Sequence, residues 1–157
     1  MATSSRTTTK WQSIMLPIKI KLAPGAVVPF KGTEHAAGYD LTALELPTYN
    51  SEAGYLEYRT GISLEIPPGY YGVLVPRSSI SKYHLIFCNA PAIIDSDYRG
   101  ELLVRFRKGV EHYDNVYQPG DKICQLIIRQ NIPVDFIPVE QLTATTRGEG
   151  GFGSTGE

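Results

Sequence analysis

The sequence predicts an all-β domain: a distorted β-barrel or jelly-roll-like sandwich of short strands, with one short helix and a flexible glycine-rich C-terminal arm. Three observations predict it. Apolar residues recur in short runs with period two. Turn signals separate the runs, among them Ala23-Pro24-Gly25, Pro67-Pro68-Gly69 and Gln118-Pro119-Gly120-Asp121. Eleven prolines and fifteen glycines accompany almost no helical periodicity. At 157 residues the chain suits one domain with a sizeable core. Residues 1–15 read as a disordered lead-in, 16–142 as the β-domain and 143–157 as the arm.

Leu16 to Leu22 alternates apolar and basic residues, a half-exposed strand whose lysines suit a sheet edge. Val27-Val28-Pro29 is a short extended piece, and Ala36 to Ala43 leads from small residues into a strand with one inward acid candidate, Asp40. Tyr55 to Ile66 alternates through Tyr58 and Leu64, and Gly61 in its middle predicts a bulge or a close approach. Leu46 to Gly54 reads as a modest loop. Tyr70 to Val75 is a strand. Arg77 to Tyr83 is the single short helix, with serines placed as an N-cap. Leu85 to Cys88 and Ala92 to Ile94 are strands joined by a hairpin-like corner, Asn89-Ala90-Pro91. Glu101 to Phe106 and Lys122 to Arg129 complete the set. Ile132 to Val139 holds Pro133 and Pro138 and belongs at an edge or in a linker.

The formal net charge of −1 gives no basic excess for nucleic acid and no acidic tail. An anionic ligand would need a few placed groups rather than a general field. No apolar run approaches membrane-span length, and the Ser/Thr-rich start lacks the apolar core of a secretory signal. Cys88 and Cys124 each sit in an apolar run, which predicts small core residues in a reducing, cytoplasmic or other intracellular compartment.

The stretch Ile93-Ile94-Asp95-Ser96-Asp97-Tyr98-Arg99-Gly100-Glu101 passes from apolar to acidic and back. Unpaired carboxylates in a core cost several kcal/mol or more, so the acids lie either in a turn in water or in a site. If the strand persists, Asp95 and Asp97 share one face, and Ser96 and Tyr98 the other. Arg77-Ser78-Ser79 offers a cation and hydroxyls at a strand-to-helix junction, as a phosphate needs and as an ordinary capped turn also provides. Gln125 interrupts an apolar strand, where its amide either ties the core or reaches a ligand. Asn89 serves either its turn or the edge of a base. The tail places Arg147, Phe152 and a Ser154-Thr155 pair among glycines, a composition for a frayed linker or for a lid that holds phosphates and stacks on a ring. Together the parts imply a nucleotide with a phosphate chain.

Five segments then carry a resemblance. Ala37-Gly38-Tyr39-Asp40-Leu41, Pro76-Arg77-Ser78-Ser79, Asn89 through Ile94-Asp95-Ser96-Asp97-Tyr98-Arg99-Gly100, Gly120 to Leu126, and Arg147 to Ser154 stand in the order of the motifs of the trimeric all-β dUTPases. The resemblance implies hydrolysis of dUTP to dUMP and pyrophosphate, which keeps uracil out of DNA and supplies dUMP for dTMP synthesis. It implies a Mg²⁺ cofactor held by the triphosphate and waters rather than by direct protein ligands, and a homotrimer with shared sites. It implies that Asp95 activates the attacking water and that Tyr98 packs on the sugar and excludes a 2′-hydroxyl. Asn89 with the backbone through Ile93 and Ile94 would read uracil. Arg77, Ser78, Ser79 and Gln125 would contact phosphates. Arg147, Gly151, Phe152, Ser154 and Thr155 would form the closing arm, and Asp40 would serve site structure or the metal's waters.

The sequence departs from the family pattern at Ser79-Ile80-Ser81, at Ala90-Pro91-Ala92 and at Glu149; by the resemblance, Glu149 would set an extra carboxylate near the triphosphate and weaken γ-phosphate binding or set the closing rate. The related dCTP deaminase branch needs a different catalytic acid and lacks the Asp95–Tyr98 arrangement. A regulatory binding protein would favour a long surface insert, and a structural capsid-like protein would not need the arm.

Overall fold

The computed structural model describes residues 15–109 and 115–151; most of the lead-in and Phe152, Ser154 and Thr155 of the arm lie outside them. The described chain is almost entirely β. In chain order the strands are β1 (Lys19–Leu22), β2 (Tyr39–Thr42), β3 (Thr48–Asn50), β4 (Tyr55–Arg59) and β5 (Ile62–Glu65). There follow β6 (Tyr70–Pro76), a 3-10 helix (Ser78–Lys82), β7 (Leu85–Phe87), β8 (Ala92–Ile94), β9 (Leu103–Lys108) and β10 (Lys122–Gln130). No helix among the described residues is long and apolar enough to cross a membrane.

Two four-stranded sheets, β2-β10-β6-β8 and β3-β4-β9-β7, and a two-stranded sheet, β1-β5, make the expected jelly-roll-like sandwich. Every pairing is antiparallel. The core lies between the two larger sheets: Leu41 from β2, Leu74 from β6 and Leu126 from β10 join Leu56 and Tyr58 from β4 and Val104 and Phe106 from β9; β4 and β9 alternate buried with more exposed residues, whereas β2 and β6 bury three in a row. Tyr58 packs edge-on against Phe106 and Tyr117, with centroids 5.8 and 6.0 Å away. Its hydroxyl accepts the Tyr117 N–H at 3.0 Å. Burial pushes its pKa up to about 12.

Several expectations are corrected. Tyr55 to Ile66 is not one bulged strand; of the two roles expected of Gly61 the close approach holds, since a Cβ there would lie 2.7 Å from that of Ala26. Gly61, at φ +70°, turns the chain out of the sheet of β4 and into the pair β1-β5. Likewise β7 and β8 do not pair with each other: β7 joins β9 and β8 joins β6, so Asn89-Ala90-Pro91 crosses between sheets. It does so through a cis Ala90–Pro91 bond. The loop expected between Leu46 and Gly54 contains β3, paired with β4; all three residues of β3 are exposed, so no apolar alternation marks it. The helix is 3-10, with Arg77 rather than a serine at its N-cap and no side-chain cap. Cys124 is buried, but Cys88 is exposed and is not a core residue. Residues 131–142 form no strand and lie exposed, with Phe136 at 87% and Leu142 at 89%.

Candidate functional site

Strand β8 ends at Ile94, so the acidic stretch leaves the sheet as a turn rather than continuing the alternation. The turn is closed by the Tyr98 N–H on the Asp95 carbonyl at 3.2 Å. Ile94 is buried beneath it, while Ile93 faces out. This end of the sandwich holds an open cleft of about 470 Å³ lined by Asn89, Ile93, Ile94, Asp95, Tyr98 and Glu101, among others. Neither the Asp95 carboxylate nor the Asn89 amide has a side-chain hydrogen bond among the described residues, so both are available to a ligand.

The other candidates gather around Asp40, which is 3% exposed. Asp40 and Gln125 are cross-strand partners on β2 and β10, and Gln125 faces Val75, two residues before Arg77. Oδ1 of Asp40 accepts from Arg77 Nε at 2.9 Å and from Gln125 Nε2 at 3.2 Å. Oδ2 lies 3.0 Å from Lys122 Nζ. Arg77 also donates through a terminal nitrogen to Ser79 Oγ at 3.4 Å. Burial raises the Asp40 pKa, but hydrogen bonds from Lys122 and Gln125 and the charges of Arg77 and Lys122 outweigh it and hold the carboxyl below its ordinary value. Two cations on one carboxylate leave net positive charge, the right sign for a phosphate chain.

Asp95, Asn89, Ile93, Ile94 and Tyr98 are thus brought together, and so are Arg77, Ser79, Gln125 and Asp40. The two groups do not share the cleft, whose lining includes none of the second set. Ser78 is exposed beside Arg77. Arg147 sits in the arm and donates to the Gly150 carbonyl at 2.8 Å, with Gly151 following. Sequence reasoning missed Lys122. Residues three apart on a regular strand face opposite ways, so Lys122 and Gln125 do not read as a pair. A register shift between Lys122 and Cys124 puts both on Asp40. It also missed Glu101, which lines the cleft and whose carboxylate is engaged with Arg59 and the Gly61 N–H.

Among the described residues no three or more His, Cys, Asp or Glu side chains are grouped to hold a metal. An exposed carboxylate at Asp95 with another at Asp97 suits an ion that arrives on phosphates with its own waters.

A β-sandwich that sets a free carboxylate and an amide edge in one cleft, and ties a guanidinium through Nε to a buried carboxylate on the neighbouring strands, has the parts of a nucleotide hydrolase. The comparisons specify the family. The dUTPase family profile matches residues 25–156. The deoxyuridine 5′-triphosphate nucleotidohydrolase of Paramecium bursaria Chlorella virus 1 is 42% identical over 136 residues, covering 87% of this chain and 94% of that protein. That of Candida albicans is 41% identical over 138 residues, covering 86% and 84%. The structure of a Staphylococcus bacteriophage 80alpha dUTPase with dUPNHPP superposes with a TM-score of 0.69 at 25% identity, covering 90% of this chain and 99% of that one. The chain belongs to the dUTPase family and is a dUTP diphosphatase.

Proposed function

We propose that the cleft at β8 and the cluster at Asp40 are the nucleoside and phosphate halves of a dUTP-hydrolysing site completed between copies of the chain in a homotrimer. The observation that carries this is the separation itself: the base and sugar groups share a cleft that the phosphate groups do not line. The segment that leads from β10 to the arm gives further support. Ile132, Val134, Phe136, Ile137 and Val139 are each at least 60% exposed, more contiguous apolar surface than a finished monomer leaves in water.

In this reading uracil enters beside Asn89, where the amide and the backbone of β8 pair with its O4 and N3–H. Cytosine reverses those groups and would leave buried partners unmatched. Tyr98 packs on the deoxyribose. Arg77, fixed through Nε, presents its terminal nitrogens to the phosphates, with Ser78, Ser79 and Gln125 beside it. Asp95 takes a proton from the water that attacks the α-phosphorus in line, and pyrophosphate leaves. A base so placed contributes roughly 10²–10⁴-fold, and positioning supplies much of the remainder. Mg²⁺, bound to the triphosphate, neutralises charge that develops on the leaving group. Arg147, Gly151, Phe152, Ser154 and Thr155 close over the nucleotide, and Glu149 sets how tightly. Asp40 holds the phosphate half in shape. Residues 16–142 form the domain and 143–157 the arm, and the reducing interior of a cell is the setting for its two free thiols.

The test is pyrophosphate release from dUTP with Mg²⁺, beside dCTP, dTTP and UTP, for the wild type and Asp95→Asn. Turnover of dUTP alone, reduced at least about a hundredfold in the variant, is expected. Equal rates for the two proteins would remove Asp95 from the mechanism.

A further inference from the structure

Tyr98 is 44% exposed and lies in a turn, so packing alone does not fix its ring. Two contacts do. The hydroxyl end of the ring lies against Gly100, where a Cβ would collide with Oη and Cζ. Its hydroxyl donates to the Glu101 carbonyl at 3.0 Å. That carbonyl is a fixed point only if Glu101 is itself fixed, and it is held from several sides. Its carboxylate accepts the Gly61 N–H at 2.7 Å and takes Arg59 through Nε and a terminal nitrogen at 3.1 and 2.9 Å. The next residue, Leu102, is buried, donates its N–H to the Ile62 carbonyl at 2.8 Å and accepts from Thr60 Oγ1 at 2.7 Å. Arg59 is steadied in turn by Glu45 at 3.3 Å.

We propose that Glu101, clamped by Arg59 and the Gly61 amide, is a positioning residue that sets the height of the Tyr98 ring and thereby the enzyme's discrimination between deoxyribose and ribose triphosphates. The inference rests on the dUTP reading and adds the origin of its sugar selectivity. A ribose differs from a deoxyribose by one hydroxyl. A ring that excludes it must be held to within a fraction of that group's width. Hydrogen bonds from a two-pronged guanidinium supply such stiffness, and small misplacements caused at a distance from the chemistry change rates by up to about 10²-fold.

The experiment measures kcat/KM for dUTP and UTP, with thermal melting as a fold control, for wild type, Glu101→Ala, Glu101→Gln, Arg59→Ala and Tyr98→Phe. The expected result is a fall of about tenfold or more in the dUTP-to-UTP ratio for Glu101→Ala and Arg59→Ala. Glu101→Gln, which keeps an acceptor for the Gly61 N–H, retains most of the ratio. Tyr98→Phe keeps the ring but loses the tether; it lowers the ratio too, and adding Glu101→Ala lowers it little further. If Glu101→Ala fails to fold, Arg59→Ala decides, because it leaves the Glu101–Gly61 bond in place. A folded Arg59→Ala with the wild-type ratio overturns the inference. Absence of dUTP turnover by the wild type would overturn the underlying reading instead.

Discussion

Asp95 has no side-chain partner among the described residues, and a general base needs that freedom; Asp40 is its opposite, a buried carboxylate saturated by three donors. The contrast predicts different fates on neutralisation. Asp95→Asn is expected to fold and melt like the wild type within about 0.5 kcal/mol while losing turnover, as a melting curve beside a pyrophosphate assay would show. Asp40→Asn is expected to cost about 1–3 kcal/mol at pH 7, because Arg77 and Lys122 lose their counter-charge, and to raise KM as Arg77 drifts. The pH dependence follows from the lowered Asp40 pKa. The folded carboxyl titrates below its usual value of 3.8, so it adds stability at all pH above that value and loses it as the pH falls through the folded pKa. Acid unfolding followed by circular dichroism should therefore be shallower below about pH 4 in Asp40→Asn. An unchanged acid limb would mean that the cluster stabilises the site without stabilising the fold.

At the scale of elements, Gly61 decides where one sheet stops and another starts. An alanine there would combine a φ of +70° with a Cβ only 2.7 Å from that of Ala26. The expected loss is about 1–3 kcal/mol, read from urea unfolding, and it should also loosen Glu101, whose carboxylate rests on the Gly61 amide. The strands that build the core were legible in the sequence, because period-two burial in β4, β5 and β9 writes itself as alternation and the consecutive buried residues of β6 as an apolar run. Strand β3 was not, because none of its side chains is buried. Pairing was not legible either: residues 85–94 look like a hairpin, yet β7 and β8 belong to opposite sheets, since strand signals say which face is buried and nothing of the partner. Asp95, Tyr98, Arg77 and Gln125 could be picked out as polar residues in apolar or turn settings. Lys122 and Glu101 could not, since a bulge and a cross-strand anchor are tertiary facts.

For the whole molecule, the shared-site proposal has a sharp consequence. Asp95→Asn and Arg77→Ala should each be nearly inactive alone. If base and phosphate groups come from different copies, refolding an equal mixture restores roughly a quarter of the sites; if both halves come from one chain, none return. Charges set into the exposed segment after β10, as in Val134→Asp with Phe136→Asp, are expected to shift the mass in light scattering from the three chains of the proposed trimer toward one. The bare apolar segment after β10 also bears on dosage. If the site is shared as proposed, the catalyst has no fixed specific activity: it falls on dilution as the copies part, so the protein would work as a threshold device, silent when scarce and abruptly competent once copies are numerous enough to find each other.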